Sequence, residues 1–346
     1  MKVLFHTSFQ VFQRANGGKT VFFKTKEALE QAGIEIDVFD PNHCDFRKYD
    51  LIHSFTMEST DMWHFAHAMN LKLAVTPISW FSGYAQLSSR LARWVKRKIQ
   101  RRILCPLHPF WWEACFRYPH QFFPQTYEQA RQLQVAFRLP KDRITVVPHG
   151  VDPKFGEARP DHFVARYGVT DFVLCVARFE PRKNQIGLIR ALRGTRIPIV
   201  FIGRPDTVLH RAYYEECIRN ADRSTIFIDD LEHESPLLAS AYAAARAVVL
   251  PSDLEFPGLA GLEGGLAGAN VAVTRVGGTV EYFGQHANYL EPRSIDSIRQ
   301  AVTAAYHAPR PNRALQSHIV QHYLWPTVIQ RNIDGYTRIL GTSTGL

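Results

Sequence analysis

Residues 247–274 read AVVLPSDLEFPGLAGLEGGLAGANVAVT. Ala247–Leu250 is a short apolar run, too short for a helix and closed by Pro251. Leu259–Ala267 has the length and spacing of a helix, and Val271–Thr274 is a second apolar run. Strand, loop, helix and strand in this order form a βαβ unit, whose crossover makes the two strands parallel.

The same rhythm extends outward. Upstream, strands are expected at Phe172–Val176, Pro198–Ile202 and Thr225–Ile228, and downstream at Ala287–Leu290. Helices are expected at Asn184–Leu192, Val208–Arg219 and Pro236–Ala245, and from Ile295 to Leu340 with breaks near Ala308–Pro311 and Pro326. The N-terminal half repeats the pattern, with strands at Lys2–His6, Ile36–Phe39, Leu51–Phe55, Leu73–Pro77, Gln121–Phe123 and Ile144–Pro148, and helices at Lys19–Ala32 and Tyr127–Phe137. VPHGVDPKFGEARPD interrupts it and reads as a linker. The expected fold is therefore α/β, with two doubly wound, Rossmann-like domains whose strand ends face across a cleft. The first covers 1–157, completed by a C-terminal helix at 328–346, and the second covers 158–327.

Composition agrees with a folded two-domain chain. The 346 residues are 46% hydrophobic and 21% charged. No apolar stretch approaches the roughly 20 residues that span a bilayer, and MKVLFHTSF enters a strand-like run with no secretory leader. Five scattered cysteines without a CxxC pair argue against a disulfide framework or a zinc site, and point to the cytoplasm.

Charge is uneven. Of the net +9, residues 1–150 carry 20 Lys+Arg against 12 Asp+Glu, and no acidic residue lies between Asp61 and Glu113. RLARWVKRKIQRRIL (90–104) fills that gap. As a helix it would gather Leu91, Trp94, Val95, Ile99 and Ile103 on one side, with Arg93, Arg97 and Arg101 among the basic residues around the rest. Lys98 and Arg102 fall inside the apolar sector, but long basic stems can snorkel, so Arg93, Trp94, Arg97 and Arg101 are candidates for an anionic membrane or acceptor surface. An ordinary solvated helix has the same pattern. No zinc-finger or RRM motif accompanies the charge, so nucleic acid is not the expected partner.

Three stretches carry chemistry. In the quoted segment Glu255 and Glu263 stand on either side of a loop-to-helix transition. Gly258 and Gly261 would let backbone approach a ligand, and a helix starting near Gly258 would point free amides at a diphosphate. ARFEPRKNQ places Arg178 and Lys183 after the Phe172–Val176 strand. QRANGGKT (13–20) places Gly17 and Gly18 at the start of a helix, without the spacing of a Walker A loop.

Taken together, these motifs resemble the family 4 glycosyltransferases, which are retaining enzymes of the two-Rossmann GT-B architecture. Their E-x7-E signature is matched by Glu255 and Glu263 in register, with Gly258, Leu259 and Leu262. ARFEPRKNQ resembles the family's "GR…KG", and VVPHGVD, FIG (201–203), AYAAARAVVLPS and TRVGGTVEY extend the likeness over most of the chain.

The resemblance implies that Glu255 and Phe256 lie at the donor sugar, and that Glu263 contacts the nucleotide ribose. Gly258 and Leu259 would offer amides, and Arg178 and Lys183 would neutralise the diphosphate. Gly17 and Gly18 would lie against diphosphate and acceptor. Catalysis would fall to Glu255, Arg178 and Lys183, with the departing diphosphate taking the acceptor's proton.

No cofactor is expected, and no Asp-x-Asp pair is present to hold a metal. The donor would be a UDP- or GDP-type sugar. The acceptor would be a saccharide or lipid-linked molecule in surface polysaccharide or glycolipid synthesis, at the inner face of the cytoplasmic membrane.

Two departures stand out. Pro257 replaces the family's Phe and has no N–H to donate. VTPISWFSG, with Pro77, Ile78, Ser79 and Trp80, lacks the family's His after a central strand. His53 reads as a strand-end or core histidine and His149 as a turn or hinge residue. An epimerase or phosphorylase would need acid/base residues or a pyridoxal lysine that are not recognisable here. A non-catalytic nucleotide-sugar-binding or membrane-associated subunit is the reading outside enzymes.

Overall fold

The computed structural model describes residues 1–8, 11, 17–56, 60–80 and 116–341. The chain forms two compact units. One is built mainly from Gly18–Pro148, with the first strand before it and the chain from Val328 after it; the other is His149–Thr327.

The first unit is a parallel sheet of β1 (Lys2–His6), β2 (Glu35–Val38), β3 (Leu51–Ser54), β4 (Leu73–Val75) and β5 (Gln121–Phe122), ordered β2-β1-β3-β4-β5. The second contains β6 (Val173–Val176), β7 (Ile199–Ile202), β8 (Thr225–Ile228), β9 (Ala247–Leu250), β10 (Asn270–Thr274) and β11 (Asn288–Leu290), ordered β11-β10-β9-β6-β7-β8. Every pairing in both sheets is parallel. Parallel strands are covered on both faces, which is why these segments are nearly continuous apolar runs. Val173, Leu174, Val200, Phe201, Val248, Val249, Val271 and Ala272 are all fully buried. In the second sheet the chain leaves β6 in one direction for β7 and β8, then returns beside β6 as β9. That reversal is the switch point where such sheets bind ligands at the strands' carboxyl ends.

The expected unit boundary after Glu157 falls instead at His149. The segment read as a linker is structured. It carries a helix at Lys154–Glu157 with Phe155 fully buried, and the Val151 N–H donates to the Tyr323 carbonyl (2.7 Å).

Ile144–Pro148 is not a strand but a single bridge from Phe122 to Ile144. Thr145 and Val147 donate to the carbonyls of Phe122 and Pro124. Pro124 has no N–H to return a bond, so the ladder stops there. The break expected at Pro326 lies at Leu324, and Pro326 sits in the first turn of the helix Trp325–Leu340. A first-turn proline loses nothing, because its N–H would have had no intrahelical partner. The helix Thr60–Ala68, which buries Met62, Trp63 and Ala66, has no counterpart in the reading of the sequence.

Candidate functional site

The site is assembled at the carboxyl ends of β6 and β9. After β9, Ser252 and Glu255 are both buried. Glu255 Oε1 accepts from Lys183 Nζ (2.5 Å) and from Ser252 Oγ (2.6 Å). Its Oε2 has no hydrogen-bond partner among the described residues. Burial alone would push this carboxyl up. The Lys183 ammonium, helped by Ser252 and the Arg182 guanidinium, outweighs burial and holds it below the usual carboxylate range. Two residues 72 positions apart thus meet as a nearly dry ion pair at the switch point.

Backbone clamps fix the Glu255 loop from two sides. On one side the Asp253 N–H donates to the Arg182 carbonyl (2.9 Å), and Arg182 Nη1 donates to the Leu254 carbonyl (2.9 Å). On the other, Glu255 N–H donates to Val276 O (3.1 Å) and Gly278 N–H to Glu255 O (2.9 Å). Gly277 lies between them with φ 110, and a Cβ there would overlap the Glu255 carbonyl. Asn184, at φ 54, adds a third tie by donating Nδ2 to the carbonyls of Pro251 (3.1 Å) and Pro292 (2.8 Å).

Gly258 caps the helix Leu259–Leu266 at φ 69. The first amides of that helix, Leu259 and Ala260, have no intrahelical acceptor. Gly261 does not face a ligand as expected. Its missing Cβ would point at Phe283, Leu250 and Val271, and those of Gly264 and Gly265 at Val248 and at Leu315 and Ile319. The small residues serve close packing of the helix against β9 and the helix Arg313–Tyr323. Phe256 is half-buried and Pro257 buried.

Glu263, buried inside the helix, accepts from His233 Nε2 at Oε1 (2.7 Å) and from Tyr242 OH at Oε2 (2.6 Å). Arg178, after β6, pairs with Asp206 and with Glu180 (3.4 Å). Asp206 in turn meets His210 Nδ1 at 2.6 Å. Burial would raise the Asp206 carboxyl, but His210 and Arg178 bring it below its ordinary value.

In the second unit, then, the expected residues Arg178, Lys183, Glu255, Phe256, Gly258, Leu259 and Glu263 all lie on the loops and helix that follow β6 and β9. The structure adds Arg182, Asn184, Ser252, Asp206, His233 and Tyr242. Arg182 and Asn184 stand inside the ARFEPRKNQ motif, so the sequence itself carries a signal for them. Asp206, His233 and Tyr242 reach their partners from 28, 30 and 21 positions away, and no spacing pattern announces them.

Gly17 and Gly18 open the helix Gly17–Gln31 after β1. Arg93, Trp94, Arg97 and Arg101 lie outside the described residues. His53 is a core histidine: its ring nitrogens meet Tyr336 OH (2.5 Å) and Thr76 Oγ1 (2.8 Å), and burial pushes its pKa down to about 3. His149 is also buried, and its N–H donates to Tyr282 OH (2.8 Å). Where the family's His is absent, buried Gln129 donates Nε2 to the carbonyls of Pro77 and Ser79 (2.7 Å each) and fixes that loop.

Residues 163–319 match the model of a family described as glycosyl transferases group 1. This segment belongs to the group 1 glycosyltransferases. The chain is 26% identical over 221 residues to an uncharacterized glycosyltransferase of Methanocaldococcus jannaschii, covering 58% of this chain and 55% of that one. It is 30% identical over 210 residues to a glycogen synthase of Mycobacterium tuberculosis, covering 56% and 48%. It thus spans about half the length of the curated relatives it matches.

Among solved structures it resembles a sucrose-phosphate synthase from Thermosynechococcus elongatus, with TM-score 0.78 and 16% identity over 99% of this chain and 100% of that one. It also resembles Anabaena Alr3699/HepE in complex with UDP-glucose, with TM-score 0.74 and 15% identity over 98% and 100%. Both likenesses are of fold, the two parallel-sheet α/β units of GT-B glycosyltransferases. No described helix is long and apolar enough to cross a membrane.

Proposed function

We propose that the chain is a retaining glycosyltransferase that moves a sugar from a UDP- or GDP-type donor to a saccharide or lipid-linked hydroxyl. The observation that carries this reading is the Lys183–Glu255 pair at the β6/β9 switch point, beside the unpaired amides that begin the helix Leu259–Leu266.

Lys183 spends one of its three N–H groups on Glu255. The other two can meet diphosphate oxygens, with the Leu259 and Ala260 amides and the helix dipole adding to the same field. The open Oε2 of Glu255 suits a donor-sugar hydroxyl. Pro257 supplies no amide, so the backbone contacts begin at Gly258. Arg178 can turn toward the diphosphate, leaving Asp206 to His210.

In the reaction the bond between the anomeric carbon and the diphosphate oxygen breaks, and its electron pair stays on the diphosphate. The acceptor oxygen bonds to the same face of that carbon, and its proton passes to the departing diphosphate. Preorganised cations that meet charge as it develops are the largest expected catalytic contribution, and no metal is required. The UDP-glucose complex of Alr3699/HepE, on the same fold, supports the choice of donor class. The excess of Lys and Arg in residues 1–150 favours an anionic acceptor, such as a lipid-linked phosphate at the cytoplasmic membrane face.

Calorimetric binding of UDP, GDP and a panel of their sugars, followed by NMR of the product's anomeric configuration, tests the reading. Binding with a retained configuration is expected. An inverted product would refute the mechanism, and failure to bind every nucleotide sugar would refute the function.

A further inference from the structure

His233 lies in the loop between β8 and the helix Pro236–Ala244, and both of its ring nitrogens face carboxylates. Nε2 is 2.7 Å from Glu263 Oε1, and Nδ1 is 3.2 Å from Glu234 Oε1. An ionised carboxylate only accepts, so both contacts are hydrogen bonds only when both nitrogens carry protons, which makes the ring an imidazolium. Its surroundings favour the charge. Lys154 Nζ donates to Glu234 Oε2 (2.6 Å) and to the His233 carbonyl (3.2 Å), and lies 3.8 Å from Asp152. Among the described residues, Glu263 and Glu234 thus face the ring, with Lys154 acting against the charge. Tyr242 reaches the group through Glu263 Oε2, and fully buried Phe155 packs its ring against both His233 and Tyr242 (5.5 Å each).

We propose that His233 is a positioning residue for the nucleotide: as a cation it holds the Glu263 carboxylate in place, and loss of its proton weakens nucleotide binding. This rests on the nucleotide-sugar reading above. With His233 on Oε1 and Tyr242 on Oε2, each oxygen of Glu263 keeps one free acceptor position, a fixed pair that two neighbouring hydroxyls can fill. A neutral His233 can still donate from Nε2, but the charge that strengthens the bond is gone.

Burial by itself would lower the ring's pKa; the two carboxylates outweigh it, and the pKa lies above its ordinary value. The His233 side chain is 27% exposed. A nucleotide covering that edge removes screening water from the His233–Glu263 pair and holds the proton more tightly. Affinity is therefore highest below the His233 titration and falls as pH rises through it. A difference of one pKa unit between free and bound protein corresponds to about tenfold in affinity.

The test uses the full chain, with UDP and GDP as probes, titrated calorimetrically between about pH 7 and about pH 9, where the probe's terminal phosphate, with a pKa of about 6, is already ionised. His233→Gln keeps a donor near the Nε2 position without the charge. The native protein should lose roughly tenfold in affinity across this range, while His233→Gln stays flat at the weaker value. Nitrogen NMR of the imidazole rings gives a second readout: both His233 nitrogens protonated near neutral pH, and one of them bare in Glu263→Gln. An equal pH slope in His233→Gln, or a bare ring nitrogen in the native protein near pH 7, would overturn the proposal. A native chain that binds neither UDP nor GDP at any pH defeats the donor reading itself, and the NMR readout still decides whether His233 is a cation.

Discussion

Lys183 and Glu255 neutralise one another across the switch point of the second sheet, Nζ to Oε1 at 2.5 Å, with side chains only 15% and 9% exposed. Removing one partner strands the other charge in a poorly solvated place. Lys183→Met should cost about 3–5 kcal/mol at neutral pH.

The sign with pH separates this from simple loss of packing. In the native protein the Glu255 carboxyl lies below its ordinary value of 4.5, so its contribution is full above that pH and is lost as pH falls through the lower folded value. In Lys183→Met burial is opposed only by Ser252 and Arg182 and the carboxyl rises relative to the native protein, so the variant's deficit should shrink as pH falls and Glu255 takes up a proton. Urea unfolding at several pH values reads both trends.

Gly277 packs its backbone closely against the Glu255 carbonyl. Any Cβ there meets the Glu255 carbonyl, at a φ of 110 that L-residues rarely adopt. Gly277→Ala should destabilise by about 2–4 kcal/mol and weaken nucleotide binding, because the Glu255 loop loses its tie to Gly278. Denaturant unfolding together with UDP titration checks it, and unchanged binding would show that this clamp does not set the Glu255 geometry.

His53 gives the first unit its own acid response. Its folded pKa of about 3 lies below the ordinary 6.5, so stability is full above pH 6.5 and drains away as pH falls toward 3. His53→Gln should cost about 1–3 kcal/mol at neutral pH through disturbed bonds to Tyr336 and Thr76. It should also flatten the dependence of stability on pH by one proton. Hydrogen exchange of the first unit's strands across that pH range measures the change.

The last helix is seated on the first unit by Tyr336, which meets His53, and by Gly335, whose missing Cβ would strike the Phe123 ring. Gly335→Ala should loosen the helix by about 1–3 kcal/mol. The expected signature is faster hydrogen exchange from Val328 onward with β6–β11 unaffected. Equal exchange in the two proteins would mean the ring yields without cost.

What could be read in the sequence follows from which forces are local. The strands of the second unit are apolar on both faces, so their runs located them within a residue or two. The Glu255–Glu263 pair sits on one loop and helix, which made its spacing visible. Ile144–Pro148 looked equally strand-like, but its neighbour Pro124 lacks the N–H that a ladder needs, a property of a residue 20 positions away. Gly261 looked like ligand-facing backbone because its actual neighbour, Phe283, belongs to a different segment. The partners that set the charge of the site, Asp206 on Arg178 and His233 on Glu263, arrive from separate loops. They exist only once the sheet order brings those loops to one edge.

In the proposed reaction Glu255 acts on a nucleotide-activated sugar. Glu255→Gln retains the shape, a partner for Ser252 and an oxygen for Lys183, so the fold should survive the change. With the best-binding sugar nucleotide identified, release of nucleoside diphosphate is measured for both proteins, with UDP or GDP binding as the control for folding. Glu255→Gln should still bind the free nucleotide and lose about a hundredfold or more in release. Release at the native rate from a folded Glu255→Gln protein would contradict this role.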